Sequence, residues 1–471
     1  MAVEGRTHKP VIDKEKCQTC SVCLKGCPAE AIPEFREEES SLRGRVYKDI
    51  KAPPNFNVNK IFEMPPCQLA CPIHQDVRRY GNLIAQTKYL EALQVIREDN
   101  ALPSVCGYVC HHPCEEKCVR NLVEESVSIK TLKRFVVDAE SDRMVPLKIA
   151  EKKNKKVTII GSGPSGLAAA YDLVRLGYEV DVLEAFPELG GMLRWAIPPF
   201  RLPRDVLGRD IEYIKKMGVN IKTGVKFGID TILSQLRKDG ASAIIMAIGT
   251  HEGLKMGIED DKQGNGYIDC LTFLRQYARG EKLDLGDKTV VVGGGNAAID
   301  SARSALRCGV KEAAILYRRS LEEMPADREE IEEALAEGVK INYLVMPVRI
   351  IKENGKIQRL ECQKTKLGEP DETGRRRPIP VAGSEFVVET SSVISAVGQR
   401  PDLSWNREGL PFRFSPVNTF IVDDSCLTNL EGVFAAGDAL NGPTTVVEAM
   451  ASGRKAAKSV DAYLSGKGKS R

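Results

Sequence analysis

From Lys155 onward the chain repeats one pattern: a short apolar run, a glycine-rich turn, then a longer run with apolar positions at helical spacing. "VTIIGSGPSGLAAAYDLV" reads as strand, turn and helix, and "KTVVVGGGNAAIDSARSAL" repeats it. Strands that alternate with helices predict an α/β architecture with mostly parallel sheets. Upstream the pattern differs. In "DVRRYGNLIAQTKYLEALQVIRED" the apolar residues Val77, Tyr80, Leu83, Ile84, Leu90, Leu93 and Ile96 recur near the helical period, which predicts a helical region with one buried face. "SIKTLKRFVVDAE" predicts a further helix, and residues 46–60, "VYKDIKAPPNFNVNK", read as an extended linker.

The 471 residues, 42% hydrophobic and 28% charged, are those of a soluble protein with several cores. A net charge of +3 gives no argument for nucleic acid. The most apolar window is broken by Gly, Ser and Pro, so no direct membrane span is expected. "MAVEGRTHKP" has no apolar core, so no secretory signal is expected and the location implied is cytoplasmic.

Cysteine usage changes the picture. Of fourteen cysteines, Cys270, Cys308, Cys362 and Cys426 are scattered, and the other ten lie before residue 120. A disulfide framework belongs to small secreted domains, so clustered thiols here point to metal ligation. Cys17, Cys20, Cys23 and Cys27 follow C-x2-C-x2-C-x3-C-P, a spacing that wraps thiolates around a 4Fe-4S cube. Zinc sites more often pair two C-x2-C knuckles. The flanks "VIDKEKC" and "PAEAI" resemble one half of a bacterial ferredoxin. Cys27 either closes its own cube or reaches a cluster built from later thiols. Those later thiols are Cys67 and Cys71 in "PCQLACP", then Cys106, Cys110, Cys114 and Cys118 in "CGYVCHHPCEEKC". Ten thiols are two more than two cubes need and two fewer than three need. Either two are spare, or a third cluster takes other ligands, for which His74, His111 and His112 are the nearest candidates.

The first glycine-rich turn holds Gly161, Gly163, Pro164, Ser165 and Gly166. Its glycines allow a tight turn and let a diphosphate approach a helix N-terminus. Glu184 ends the next strand, placed to accept bonds from ribose hydroxyls. Near the C-terminus, "GVFAAGDAL" is a strand ending in Gly437 and Asp438, an acid suited to a flavin's ribityl chain. The second turn holds Gly293, Gly295, Asn296 and Ala297, and its following strand ends in Arg318 and Arg319 rather than an acid. Arginine binds a 2′-phosphate that an acid would repel, which favours NADP(H) over NAD(H). No C-x-x-C or C-x4-C lies between the two turns, so electrons are expected to leave toward iron–sulfur and not toward a dithiol.

Four ordered segments, "GGMLRWAIPPFRLPRDVL", "YRRSLEEMPA", "AVGQRPD" and "AAGDALNGPTTVVEAMASGRKAA", resemble the small (β) subunit of NADPH-dependent glutamate synthase and its relatives. Those relatives are the flavoprotein part of dihydropyrimidine dehydrogenase and the large subunit of NADH-dependent ferredoxin:NADP oxidoreductase. The resemblance runs over roughly residues 61–465. It implies FAD in a discontinuous domain, held by Gly163–Gly166 and Glu184, with Gly191, Met192 and Arg201 near the flavin or its phosphates and Asp438 and Thr445 at the ribityl end. It implies NAD(P)H on Gly295, Asn296, Ala297, Arg318 and Arg319, with Ala396, Val397 and Gly398 lining the same channel. Two departures stand out. An early C-x-x-C of the family is missing before "CQLACP", and Lys133 in "LKRF" replaces the family's later acid or amide ligand.

The fold class expected is therefore α/β: two Rossmann-like nucleotide-binding domains, preceded by an α-helical iron–sulfur domain and a short ferredoxin-like segment. The boundaries expected are 1–45 for that segment, 46–150 for linker and helical domain, 151–255 for the first part of the FAD domain, 256–390 for the NAD(P) domain and 391–471 for the second part. The function implied is hydride exchange between NAD(P)H and FAD, and single-electron exchange with partner subunits carrying iron–sulfur or flavin, through two 4Fe-4S clusters. The alternatives are a glutamate synthase small subunit and a non-catalytic electron-transfer scaffold.

Overall fold

The computed structural model describes residues 3–4, 11–12, 64–141, 143, 145–371 and 374–466. Cys17, Cys20, Cys23 and Cys27 lie outside the described residues. Strands β1 (Val3–Glu4) and β2 (Val11–Ile12) pair antiparallel. The chain divides into two units, Met1–Asp99 with His112–Leu132, and Asn100–His111 with Lys133–Arg471.

In the first unit, α1 (Pro66–Ala70) packs on α5 (Pro113–Glu116), and α2 (Val77–Ala85) packs on α3 (Tyr89–Asp99). Asp76 caps α2 by accepting from the Arg79 N–H at 3.1 Å. The expected apolar stripe is broken between α2 and α3. Thr87 takes a left-handed conformation (φ 58°), and Lys88 N–H bonds back to Leu83 O. The helical phase restarts after that turn, so Val77, Tyr80, Leu93 and Ile96 are buried while Leu90 is exposed.

In the second unit, the strands β3 (Lys156–Ile160), β4 (Glu179–Glu184), β5 (Asn220–Thr223), β6 (Ala241–Met246) and β18 (Val433–Ala435) form a parallel sheet in the order β18-β6-β3-β4-β5. A second parallel sheet has the order β11-β10-β9-β16-β8, from β8 (Tyr267–Asp269), β9 (Lys288–Val292), β10 (Glu312–Tyr317), β11 (Lys340–Tyr343) and β16 (Ser392–Ser395). The central strands are apolar over nearly their whole length because helices cover both faces. An antiparallel arm of β12 (Val345–Glu353), β13 (Lys356–Pro370), β14 (Arg376–Pro380) and β15 (Phe386–Glu389) grows from the second sheet.

Two strands link the sheets: β7 (Glu252–Gly253) pairs antiparallel with β17 (Gln399–Arg400), braced by the Arg400–Glu252 ion pair at 2.7 and 2.9 Å. The expected boundary at residue 390 therefore moves. Ser392–Ser395, fully buried, pairs with β9 and β8 inside the second sheet, and the chain returns to the first domain only at β17.

Helices α7 (Pro164–Arg175) and α15 (Val446–Leu464) pack together over the first sheet. Their approach requires glycine at 453, where a Cβ would lie 2.1 Å from Ser165 O. Helix α4 (Pro103–Val109) packs on α9 (Arg204–Lys216), whose buried Asp210 accepts from Val105 N–H at 3.0 Å and Ser104 Oγ at 3.1 Å. Among the described residues, no helix is long and apolar enough to cross a membrane.

Arg201, expected near the flavin or its phosphates, is engaged by two carboxylates of the second domain. It follows α8 (Met192–Trp195) and is buried against the second domain. Its guanidinium bonds Asp300 on α12 (Asn296–Arg307) at 2.8 and 2.9 Å, and Glu330 on α13 (Arg328–Ala336) at 2.6 Å. A buried and a half-buried carboxylate hold the cation there, and neighbouring Phe200 lies under the guanidinium groups of Arg303 and Arg307, at 4.9 and 3.8 Å. Removing one partner of a buried ion group leaves uncompensated charge, so Arg201→Ala should lower unfolding free energy by about 3–5 kcal/mol. Denaturant titration measures this, and a loss below about 1 kcal/mol would mean that water screens the group.

Candidate functional site

The first nucleotide turn is built by close backbone approach. Gly161 has φ 106°, and a Cβ there would meet Ala247 O at 2.4 Å. At Gly166 a Cβ would meet Gly161 O at 2.0 Å, so α7 can sit on the turn only with glycine. Gly163 is different: nothing lies within 4 Å of a Cβ position there. That open space fronts the N-terminus of α7, where Pro164 occupies the first turn and no side chain caps the free N–H groups. Ser165 Oγ is buried without a hydrogen-bond partner. An orphaned hydroxyl and an open turn fit a diphosphate.

Glu184, at the end of β4, is buried beside this turn. Its carboxylate accepts from Ser162 N–H at 2.9 Å and Ser162 Oγ at 2.5 Å, and from Phe186 N–H at 2.8 Å. Gly191 presses on the turn, since a Cβ there would meet Gly163 Cα at 2.8 Å, and Met192 follows at the start of α8. The sequence reading missed a polar and aromatic group nearby. Phe186 lies between Trp195 and His251, at ring distances of 5.5 and 5.7 Å, with Arg275 over its face. Burial, with the Arg275 charge, pushes the His251 imidazole down to about 4 and keeps it neutral. Trp195 Nε1 and His251 Nδ1 are buried without partners.

Gly437 brings Asp438 to the same end of the sheet. A Cβ at 437 would lie 2.6 Å from Ser165 Cβ. Asp438 accepts from Thr444 Oγ1 at 2.7 Å and Thr444 N–H at 3.2 Å. Thr445, expected at the ribityl end, is closed into a capping box with Glu448: its hydroxyl donates to Glu448 Oε2 at 2.6 Å and accepts from Glu448 N–H. The hydroxyls that reach Asp438 are therefore those of Thr444 and Thr250.

The second turn repeats the design. At Gly293 (φ 150°) a Cβ would meet Ala396 O at 2.2 Å, while Gly295 faces open space at the uncapped N-terminus of α12. Ala396 N–H bonds Val292 O at 2.8 Å, and Gly398 O accepts from Leu254 N–H, so residues 396–398 run beside the turn. Asn296 Oδ1 accepts from Asp327 N–H at 2.8 Å, and Ala297 O accepts from Ser301 Oγ. The arginine pair separates. Arg318 is exposed, whereas Arg319 is buried, bonded to Asp371 Oδ2 at 2.6 Å and to Arg376 O at 2.7 Å. Alternation along the strand turns Arg319 toward the arm, and Asp371 neutralises it there.

The ten described cysteines are thiols and form no disulfide among the described residues. In the first unit, Cys67 lies on α1 and Cys71 at its end, Cys114 lies on the packed helix α5, and Cys118 follows. Burial pushes the Cys67 thiol up, and the proximity of Cys118 adds to this. Among the described residues no three His, Cys, Asp or Glu side chains converge as one metal ion requires. A donor set of soft thiols fits an iron–sulfur cluster better than a lone zinc ion. In the second unit, Cys110 ends α4, and Cys106 is buried in the core with Sγ 3.8 Å from Met450 Sδ and from Asn100 Oδ1. Lys133 is buried, and His74 approaches Gln68 O at 3.2 Å.

Burial pushes the Asp438 carboxyl from 3.8 up to about 6, against the hydrogen bonds from Thr444. An acid with a raised folded pKa takes its proton in the folded state first. Its ionisation therefore destabilises the fold progressively from about pH 4 to about pH 6, and fully above that. Asp438→Asn should flatten that part of the curve of melting temperature against pH. An unchanged slope across the same window would contradict the burial of this carboxyl.

The model of the pyridine nucleotide-disulphide oxidoreductase family matches residues 155–453, and that of dihydropyrimidine dehydrogenase domain II, 4Fe-4S cluster, matches residues 62–145. The NADPH-Fe(3+) oxidoreductase subunit beta of Geobacter sulfurreducens (strain DL-1 / KN400) is 41% identical over 98% of this chain and 74% of its own length. The glutamate synthase [NADPH] small chain of Escherichia coli (strain K12) is 34% identical over 85% of this chain and 89% of its own. The solved structure of Mycobacterium tuberculosis FprA in complex with NADPH, 20% identical, superposes with a TM-score of 0.57 over 67% of this chain and 87% of that one, a likeness of fold. The chain belongs to the pyridine nucleotide-disulphide oxidoreductase family, as an NAD(P)H-dependent flavin oxidoreductase that also carries a 4Fe-4S domain of the dihydropyrimidine dehydrogenase type.

Proposed function

We propose that this chain is the NADPH-handling subunit of a cytoplasmic multi-subunit oxidoreductase, exchanging hydride at one end and single electrons with a protein partner at the other. One observation carries the reading: a single body holds two open phosphate-binding turns, and only the second is followed by arginine instead of an acid. FAD supplies hydride chemistry and the change from two-electron to one-electron transfer, and the clusters supply one-electron carriage.

The chain's own residues bind and orient. The free N–H groups behind Gly163 and Gly295 seat the two diphosphates. Glu184 accepts from the ribose on the FAD side, exchanging its bond to Ser162 for one to the ligand. Asp438, steadied by Thr444, accepts from the ribityl chain. Arg318 recognises the 2′-phosphate and thereby selects NADP(H). His251, neutral through burial, adds no cation beside the flavin nucleotide. The Arg201 clamp and the β7–β17 ribbon fix the two nucleotide domains against each other.

Two four-iron clusters are assigned, one on Cys17, Cys20, Cys23 and Cys27. Cys106, packed against Met450, is a spare thiol. A glutamate synthase small-chain role is the second reading, favoured by the length match to that relative. The ferredoxin-like N-terminus argues for the first reading, because the match to the Geobacter subunit extends over 98% of the chain and that to the glutamate synthase chain over 85%.

Deleting residues 1–45 tests the outlet. The full chain should contain about eight irons and the truncated chain about four. Truncated protein should still lose its flavin absorbance on anaerobic mixing with NADPH, but should no longer reduce the subunits that co-purify with the full chain. Undiminished reduction of those subunits would remove the N-terminal thiols from the path.

A further inference from the structure

Asp438 receives hydrogen bonds from two segments of the chain. Thr444, in the loop that follows it, gives its hydroxyl at 2.7 Å and its N–H at 3.2 Å. Thr250, fully buried just beyond the end of β6, gives a second hydroxyl. The chain of bonds continues past Thr250, because Gln399 Nε2 donates to Thr250 Oγ1 at 2.9 Å. Gln399 opens β17, the strand by which the chain returns from the second domain, and it pairs there with Gly253 of β7. The three residues before it, 396–398, are those that run beside the second glycine-rich turn.

The donor and acceptor chemistry fixes the direction of this chain. An ionised carboxylate only accepts, and Thr250 has one hydroxyl proton to give. With that proton on Asp438, Thr250 Oγ1 can only accept from its other neighbour. Gln399 has one group that can donate, its amide nitrogen, and that is the atom at 2.9 Å. Bonds aligned in this way polarise one another, so donation into Thr250 makes its hydroxyl a stronger donor to Asp438. Burial, and then the Glu448 charge, oppose the ionised form of Asp438, while the bonds from Thr444 and Thr250 favour it. The amide is not needed to secure the ribbon, which already has its backbone pairing and the Arg400–Glu252 bridge.

We propose that Gln399 is a positioning residue of the flavin site, acting through Thr250 to aim the Asp438 carboxylate at the ribityl chain of FAD. This rests on the reading above that Asp438 accepts from the ribityl chain. It ties an acid of the first domain to the strand where the two nucleotide domains cross. The segment expected to line the nicotinamide nucleotide channel thus leads directly into the residue that orients the flavin's acid.

The test measures Kd for FAD on the full-length holoprotein, from the fluorescence of flavin released on dilution. The proteins compared are wild type, Asp438→Asn, Thr250→Val, Thr250→Ser, Gln399→Met and the Thr250→Val/Gln399→Met double variant. Thr250→Val should raise Kd about tenfold, and Thr250→Ser should recover most of that loss. Gln399→Met should raise Kd about threefold, and by less than about twofold when Thr250 is already Val, because it acts through that hydroxyl. Losing these bonds favours the protonated carboxyl, so both penalties should be larger at about pH 6 than at about pH 8, whereas a packing defect would be the same at both. Glu448, the charged group facing Asp438, stays ionised across that window, since bonds from Thr445 outweigh burial and hold it below the usual range. If Asp438→Asn weakens FAD binding but Gln399→Met does not, or if Gln399→Met adds its full effect to Thr250→Val, the assignment of Gln399 is wrong and the reading of Asp438 stands. If Asp438→Asn binds FAD as the wild type does, the reading of Asp438 falls, and the inference falls with it.

Discussion

A diphosphate can leave bulk water only where backbone N–H groups replace its hydration, and the second unit is organised around two places that offer them. Each is a strand end where glycine permits a turn too tight for any side chain: a Cβ at Gly161 would strike Ala247 O, and one at Gly293 would strike Ala396 O. Each leaves the middle glycine facing open space before an uncapped helix. The remaining architecture follows from protecting these turns. Gly453 and Gly437 let α15 and the loop before it close against Ser165, which is why the chain must return to the first domain at its C-terminal end.

That return makes the first domain discontinuous, and a discontinuous domain needs its insertion held still. The structure does this by two independent means. One is the short ribbon of β7 and β17 with its Arg400–Glu252 bridge. The other is the buried Arg201 with Asp300 and Glu330, extended by the ion pairs of Arg303 with Glu330, Glu333 and Glu337 and of Arg307 with Glu337. Asp300 sits one turn beyond Asn296 on the helix whose N-terminus forms the second turn. The clamp therefore acts on the helix that carries the second glycine-rich turn.

The features legible in the sequence were those encoded locally. Both strand–turn–helix units form where the spacing implies them, Glu184 ends its strand beside the first turn, and residues 396–398 run beside the second. What was not legible depended on partners far along the chain. Nothing near Arg201 in the sequence announces Asp300, ninety-nine positions away, as its partner. Arg318 and Arg319 look equivalent until the arm supplies Asp371 to one of them. Leu90 fits a helical stripe until Thr87 resets the phase. Thr444 and Thr445 differ only in which of them caps α15. The thiol spacings revealed the chemistry of the N-terminal region but left open which thiols are spare. Burial of Cys106 against Met450 gives a physical ground for choosing one.

The central claim is that one chain joins hydride transfer to single-electron transfer. It is tested most directly in reverse. Holoprotein reduced electrochemically under anaerobic conditions is mixed with NADP+, while NADPH formation is followed by fluorescence and the clusters by electron paramagnetic resonance on frozen samples. The account predicts that NADPH appears in proportion to the electrons lost by flavin and clusters together, at two electrons per NADPH. NADPH formed only to the extent of flavin reoxidation, with the cluster signal undiminished, would contradict it.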